Sequence, residues 1–233
     1  MKNISCLIIV CALLLGGGQP VRADEPTIMV VGDSLSTGYG IDAAQGWVNL
    51  LQQRLRDNGF PHRVINASVS GDTSRGGLAR LPTALELHQP TIVILELGGN
   101  DGLRGLSLKS LQDNLAAMIE LGRDAGAQVL LAEMRIPPNY GPVYTKKFQN
   151  LYGELAQRYA IPLIPFLLEG VAGNGDLMQA DGIHPMTEAQ PQILDNVWPV
   201  LESLLKKIPD QQTAAVAIRR YSALGFMPRE GYA

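Results

Sequence analysis

The chain has 233 residues, 46% of them hydrophobic and 18% charged, with a formal net charge of −3 and a pI near 5.6. That length and balance suit a soluble globular protein with one filled core. No basic footprint is present, which excludes nucleic acid as an expected partner.

Residues 1–23 read as a secretory signal peptide. Lys2 opens a short positive region, Ile4 to Leu15 is apolar, and the segment ends on the small-residue pattern Val21-Arg22-Ala23. An apolar run of about a dozen residues is short for a bilayer span, although an uncleaved anchor is the alternative. Cleavage leaves Asp24 first and removes Cys6 and Cys11, so the mature chain has no thiol for a disulfide, a nucleophile or a metal. The expected compartment is periplasmic or secreted, with no stable membrane insertion once the leader is gone.

Thr27 to Val31 forms a β-branched and apolar run that breaks at Gly32-Asp33-Ser34, as a buried strand does when it delivers a hydroxyl to the rim of a sheet. The same three residues are also ordinary turn formers. Gln45 to Asp57 places Trp47, Leu50, Leu51 and Leu55 on one helical face and ends at Asn58-Gly59. Arg63 to Ala67 reads as a second strand that breaks at Ser70-Gly71-Asp72-Thr73. Asp72 or Thr73 caps the next helix, which runs to about Leu87 with Leu78, Leu81 and Leu85 at spacings of three and four.

Thr91 to Leu97 is the strongest strand, apolar except at Glu96, whose carboxyl must find partners or stay protonated in a structural role. It stops at Gly98-Gly99-Asn100-Asp101, and a helix follows from Leu108 to Asp124 with Ser107 as cap. Val129 to Ala132 is a fourth strand, Arg135 to Pro142 is irregular, and Val143 to Tyr159 is helical. Ile161 to Phe166 is a short fifth strand bounded by Pro162 and Pro165. Leu168 to Pro185 lacks any period, and a last helix spans Gln190 to Lys207 with a kink expected at Pro199.

Five alternations of strand and helix predict an α/β fold: a three-layer α/β/α, doubly wound, mainly parallel five-stranded sheet over residues 24–207. The order 2-1-3-4-5 is taken from doubly wound precedent. Residues 208–233 read as a poorly ordered C-terminal tail.

In such a sheet the carboxyl ends of neighbouring strands share one crevice, where Ser34, Gly71, Asn100, Asp181 and His184 can meet. Acyl transfer needs a nucleophile, a base, an orienter for the base, and donors for the oxyanion. Ser34 supplies the hydroxyl. Of three histidines, His62 and His88 lie at the amino ends of strands, which leaves His184 with Asp181 three residues before it. Alone, that pair reads equally as a surface turn or a metal pair. No third ligand at metal spacing accompanies it, so no metal or other cofactor is expected. The N–H groups of Ser34 and Gly71 and the amide of Asn100 are the candidate oxyanion donors.

The blocks Gly32-Asp33-Ser34-Leu35-Ser36, Ser70-Gly71-Asp72-Thr73-Ser74, Gly98-Gly99-Asn100-Asp101-Gly102 and Asp181-Gly182-Ile183-His184-Pro185 closely resemble the SGNH, or GDSL-type, hydrolases. The match is nearest the secreted bacterial branch described as thioesterase I, lysophospholipase or arylesterase, and it covers about Thr27 to Leu205. The resemblance implies a flavodoxin-like fold, Ser34 as nucleophile, His184 as base, Asp181 as its orienter, and Ser34, Gly71 and Asn100 as the oxyanion hole. It gives Asp33 no chemical role beyond holding its loop. The implied substrate is a small acyl ester or thioester, and Leu103, Leu106, Pro138 and Tyr140, with Pro137 and Tyr144, are placed to flank Ser34 as an acyl groove. A carbohydrate acetylesterase of the same family, or a non-catalytic module cradling an anion, are the alternatives.

Overall fold

β1 (Thr27–Gly32), β2 (Arg63–Asn66), β3 (Ile92–Glu96), β4 (Gln128–Ala132) and β5 (Leu163–Ile164) form one parallel sheet in the order β2-β1-β3-β4-β5. This computed structural model describes residues 25–207. The expected leader at 1–23, both cysteines and the expected tail at 208–233 lie outside the described residues.

Among the described residues seven α-helices connect or follow the strands: α1 (Ser34–Thr37), α2 (Trp47–Asp57), α3 (Ser74–His88), α4 (Gly99–Leu103), α5 (Leu108–Asp124), α6 (Pro142–Tyr159) and α7 (Gln190–Leu205). α2 packs on α7 across one face, and α3, α5 and α6 pack side by side across the other. β1 and β3 are buried at every position, because helices cover both their faces. Trp47, Leu51 and Leu55 repeat every four residues along α2, so one stripe of that helix is fully buried against the sheet. Each such side chain contributes roughly 1.5–3 kcal/mol relative to exposure.

Three elements differ from expectation, each for a local reason. β5 is two residues long, not six, because the flanking Pro162 and Pro165 have no N–H for the ladder. Its pairing survives through carbonyls, with Leu131 N donating to Pro162 O at 3.1 Å and Glu133 N to Ile164 O at 2.9 Å. α1 and α4 are single turns built from residues that read as corners in the sequence. Pro199 lies inside α7, which continues to Leu205.

Strand order reverses at β1 and β3, so the loops that follow them face one another over a crevice. In that register Gly32 lies opposite Glu96, which brings the carboxyl of β3 under the turn that carries Ser34.

Candidate active site

Ser34 opens α1, and Asp33 caps it: Asp33 Oδ1 accepts from Leu35 N at 3.1 Å. Glu96 braces the same turn from below, its Oε2 accepting from Asp33 N at 3.2 Å and from Ser36 Oγ at 2.6 Å. A Cβ on residue 32 would sit 2.3 Å from that Oε2, so only glycine lets the carboxyl come this close. Glu96 is fully buried and its Oε1 has no hydrogen-bond partner. Desolvation, with the Asp33 charge beside it, pushes its carboxyl well above the usual range. Burial likewise raises Asp33 to about 6, against the lowering pull of the Leu35 N–H and the Asn100 amide.

Arg80 of α3 ties the neighbouring corners together. Its Nε meets Asp72 Oδ2 at 2.7 Å, Nη2 donates to Gly32 O at 3.2 Å, and Nη1 donates to Ala67 O. One guanidinium therefore fixes the carboxyl ends of β1 and β2 and the corner that holds Gly71.

His184 comes from the turn-rich segment before α7, yet its Nε2 lies 2.9 Å from Ser34 Oγ, and its Nδ1 lies 2.6 Å from Asp181 Oδ2. An ionised carboxylate only accepts, so the proton sits on Nδ1 and Nε2 is free to accept from the serine hydroxyl. Asp181 Oδ1 also accepts from Ile183 N at 2.9 Å and His184 N at 3.0 Å, which shapes the turn that presents the ring. The hydrogen bond from His184 is the main cause holding the Asp181 carboxyl down at about 2.

Gln179 fastens that turn. Its backbone N donates to His184 O at 2.7 Å, and its side-chain Nε2 donates to Tyr39 O at 2.7 Å and Pro185 O at 3.1 Å. The Tyr39 ring lies against the imidazole, 4.4 Å between centroids. Neither Gln179 nor Tyr39 was expected here, because a glutamine in a stretch without period carries no signal in sequence.

Asn100, in the first turn of α4, donates its amide Nδ2 to Asp33 Oδ2 at 3.0 Å. One of the two amide hydrogens is thereby fixed, and the other remains for a ligand. Gly71 has φ 76°, a left-handed conformation that favours glycine, and its carbonyl accepts from Arg104 Nη2 at 2.9 Å. Asp101 anchors α4 to α3 by accepting from Ser74 N at 2.8 Å and Ser74 Oγ at 2.6 Å. His62 and His88 stand at the opposite edge, just before β2 and β3.

A cavity of about 520 Å³ opens beside Ser34, Asn100 and His184. Leu103, Pro137 and Pro138 line it. Leu106, Tyr140 and Tyr144 do not, contrary to the expected groove. The Tyr140 hydroxyl donates to Leu103 O at 2.8 Å and that of Tyr144 to Leu106 O at 3.3 Å, so both side chains tie the segment after β4 to residues 103–106. Met134, Ile136, Phe166, Leu168, Met178 and Ile183 form the rest of an apolar wall. Among the described residues no group of three or more His, Cys, Asp or Glu side chains is placed to hold a metal. A hydroxyl in contact with an imidazole, itself oriented by a carboxylate, with amide donors nearby, is an arrangement suited to acyl transfer.

Residues 30–190 match the GDSL-like Lipase/Acylhydrolase family. The chain belongs to that family. It is 53% identical over 199 residues to Esterase TesA of Pseudomonas aeruginosa, spanning 83% of this chain and 99% of that protein. It is 43% identical over 183 residues to thioesterase 1/protease 1/lysophospholipase L1 of Escherichia coli K12, spanning 78% and 86%. Among solved structures, psychrotrophic esterase EstA from a Pseudoalteromonas species, inhibited by monoethylphosphonate, superposes with a TM-score of 0.74 at 42% identity, covering 77% of this chain and 98% of that one. As a GDSL-type family member with these relatives, the chain is a hydrolase of the esterase class.

Proposed function

We propose that Ser34 is the nucleophile of a serine esterase and thioesterase, with His184 as general base, Asp181 as the group that orients it, and the N–H groups of Ser34 and Gly71 with the Asn100 amide as oxyanion donors. The observation that carries this reading is the continuous chain from Ser34 Oγ through His184 to Asp181, at 2.9 Å and 2.6 Å. Ser34 Oγ attacks the acyl carbon while its proton passes to His184 Nε2. The carbonyl oxygen becomes an oxyanion facing the three donors, which stabilise it more than they did the neutral carbonyl. The intermediate collapses, the carbon–oxygen or carbon–sulfur bond breaks, and the departing alcohol or thiol takes the proton from His184. Water then gives a proton to His184 and its hydroxyl to the acyl-enzyme, and as the second intermediate collapses His184 returns that proton to Ser34 Oγ and the acid leaves.

Substrate class is supported by the cavity and by the relatives' names, which include esterase, arylesterase and thioesterase 1/lysophospholipase L1. A mostly apolar space of about 520 Å³ far exceeds an acetyl group and favours an acyl chain packed against Met134, Ile136 and Phe166 over an acetylated glycan. The reading places the enzyme in the periplasm or outside the cell, supported by the leader pattern at 1–23. Among the described residues no helix is long and apolar enough to cross a membrane.

Ser34→Ala tests the proposal. Hydrolysis of p-nitrophenyl butyrate should fall at least about ten-thousandfold and fluorophosphonate labelling should vanish, with circular dichroism unchanged. Turnover at the wild-type rate would remove the assignment.

A further inference from the structure

Among the described residues seven large apolar side chains are substantially exposed, and their distribution is one-sided. Six of them, Tyr39, Val69, Leu106, Tyr140, Val143 and Ile183, belong to loops or first helical turns that follow the carboxyl ends of strands, the edge that carries Ser34. The seventh, Leu87, lies near the end of α3 at the opposite edge. Single exposed apolar residues need no explanation, but a set gathered at the edge where the active-site cavity has its mouth does.

Their contacts tie them to that mouth. Tyr39 covers the His184 imidazole, and Ile183 precedes His184 and also lines the cavity. Val69 donates its N–H to Gly32 O at 3.1 Å and stands two residues before Gly71. The Tyr140 hydroxyl is bonded to the carbonyl of Leu103, a wall residue, and the Leu106 carbonyl accepts from Tyr144 in the turn begun by Pro142 and Val143. Val143 is 69% exposed, and none of the six is below 38%.

We infer that these six residues form an apolar collar that seats the enzyme, mouth down, on a lipid–water surface. The inference rests on the acyl-ester reading above and deepens it by naming the physical state of the substrate. Continuity decides the occupant: Ile183 is at once part of the collar and part of the cavity wall, so the apolar surface of the rim meets that of the cavity at this side chain. A chain drawn from a lipid aggregate passes along that surface without entering water, and the collar gains by burying its own side chains in the interface. A second copy of the protein docked there would instead seal the opening through which substrate must pass. With no helix among the described residues able to span a bilayer, the contact is peripheral.

The test uses the Ser34→Ala protein, so that lipid is not consumed, and sedimentation with vesicles of phosphatidylcholine and phosphatidylglycerol. The expected result is co-sedimentation that persists at high salt, since the contact is apolar. Adding Val69→Ser and Val143→Asp should lower the vesicle partition coefficient by about tenfold. The same pair in the active protein should leave hydrolysis of monomeric p-nitrophenyl butyrate unchanged, which shows that fold and chemistry survive. Absence of vesicle binding, or binding unaffected by the pair, overturns the collar. A concentration-dependent dimer in sedimentation velocity that the pair abolishes also overturns it, by making the rim a contact between copies. Adsorption is measured apart from turnover, so failure of the Ser34 assignment is read separately in the p-nitrophenyl butyrate assay.

Discussion

The support beneath Ser34 is buried and non-local: Asp33 and Ser36 are each 2% exposed, Glu96 is fully buried, and their bonds join the β1–α1 turn, α1, β3 and α4 across 60 to 67 positions of sequence. The support behind His184 is exposed and mostly local. Asp181 holds the ring from three residues away with 41% of its side chain open to water, and the turn is closed by bonds within 179–185 and one side-chain amide reaching Tyr39. A serine fixed by the sheet cannot move without disturbing the fold, whereas a histidine fixed by a turn can be displaced while the fold stands. Damage on the first side should therefore register as lost stability, and damage on the second as lost turnover.

The sharpest separation comes from Asp181→Asn, which keeps the shape and the two backbone contacts but not the charge. It should lower kcat by about a thousandfold to ten-thousandfold, while the urea midpoint hardly changes. Glu96→Ala should do the reverse. It leaves the Asp33 N–H and the Ser36 hydroxyl unpaired over a void and should cost about 3 kcal/mol in urea unfolding, most of it recovered in Glu96→Gln. A full loss of stability from Asp181→Asn, or none from Glu96→Ala, would break the contrast.

Gln179→Ala is a finer probe. The ring would lose a brace but no chemical group, so kcat should fall by about tenfold with KM little changed and a stability cost under about 1 kcal/mol. The contrast also has a pH slope. Asp33 titrates at about 6 in the fold against 3.8 as a free side chain, so between those values the folded state holds a proton that the unfolded state has released. Its contribution is full below about pH 4 and declines as pH rises through about 6. Wild type should lose ground to Asp33→Asn across that window in urea unfolding at stepped pH. Asp181 behaves oppositely: its stabilisation is present above 3.8 and is lost as pH falls towards about 2, outside the window.

The strands and the positions of Ser34, His184 and Asp181 were legible because each depends on a local signal, a β-branched run, a glycine corner or an Asp-x-x-His spacing, whereas the strand order came from doubly wound precedent and not from these residues. Glu96 was legible as a problem, since a carboxyl in an apolar strand must be partnered or neutral, though its link to Ser36 was not. The cavity wall was the least legible part. Ile136, Leu168 and Met178 lie in stretches read as irregular or without period, Met134 and Phe166 lie just past β4 and β5, and the burial of all five is set by which loops meet over the sheet. Leu106 and Tyr140 are not among the residues that line the cavity: apolar character placed them near the site but could not say which loop residues face into it.

Arg80 draws together two strand ends and the Asp72 corner by hydrogen bonds and one ion pair, in a stretch from 25 to 207 that contains no cysteine. What a covalent crosslink does in many exported proteins is done here by a guanidinium. The native arrangement needs no oxidant to mature and no isomerase to correct it, so dithiothreitol should leave this domain untouched, and folding should succeed equally on either side of a redox boundary.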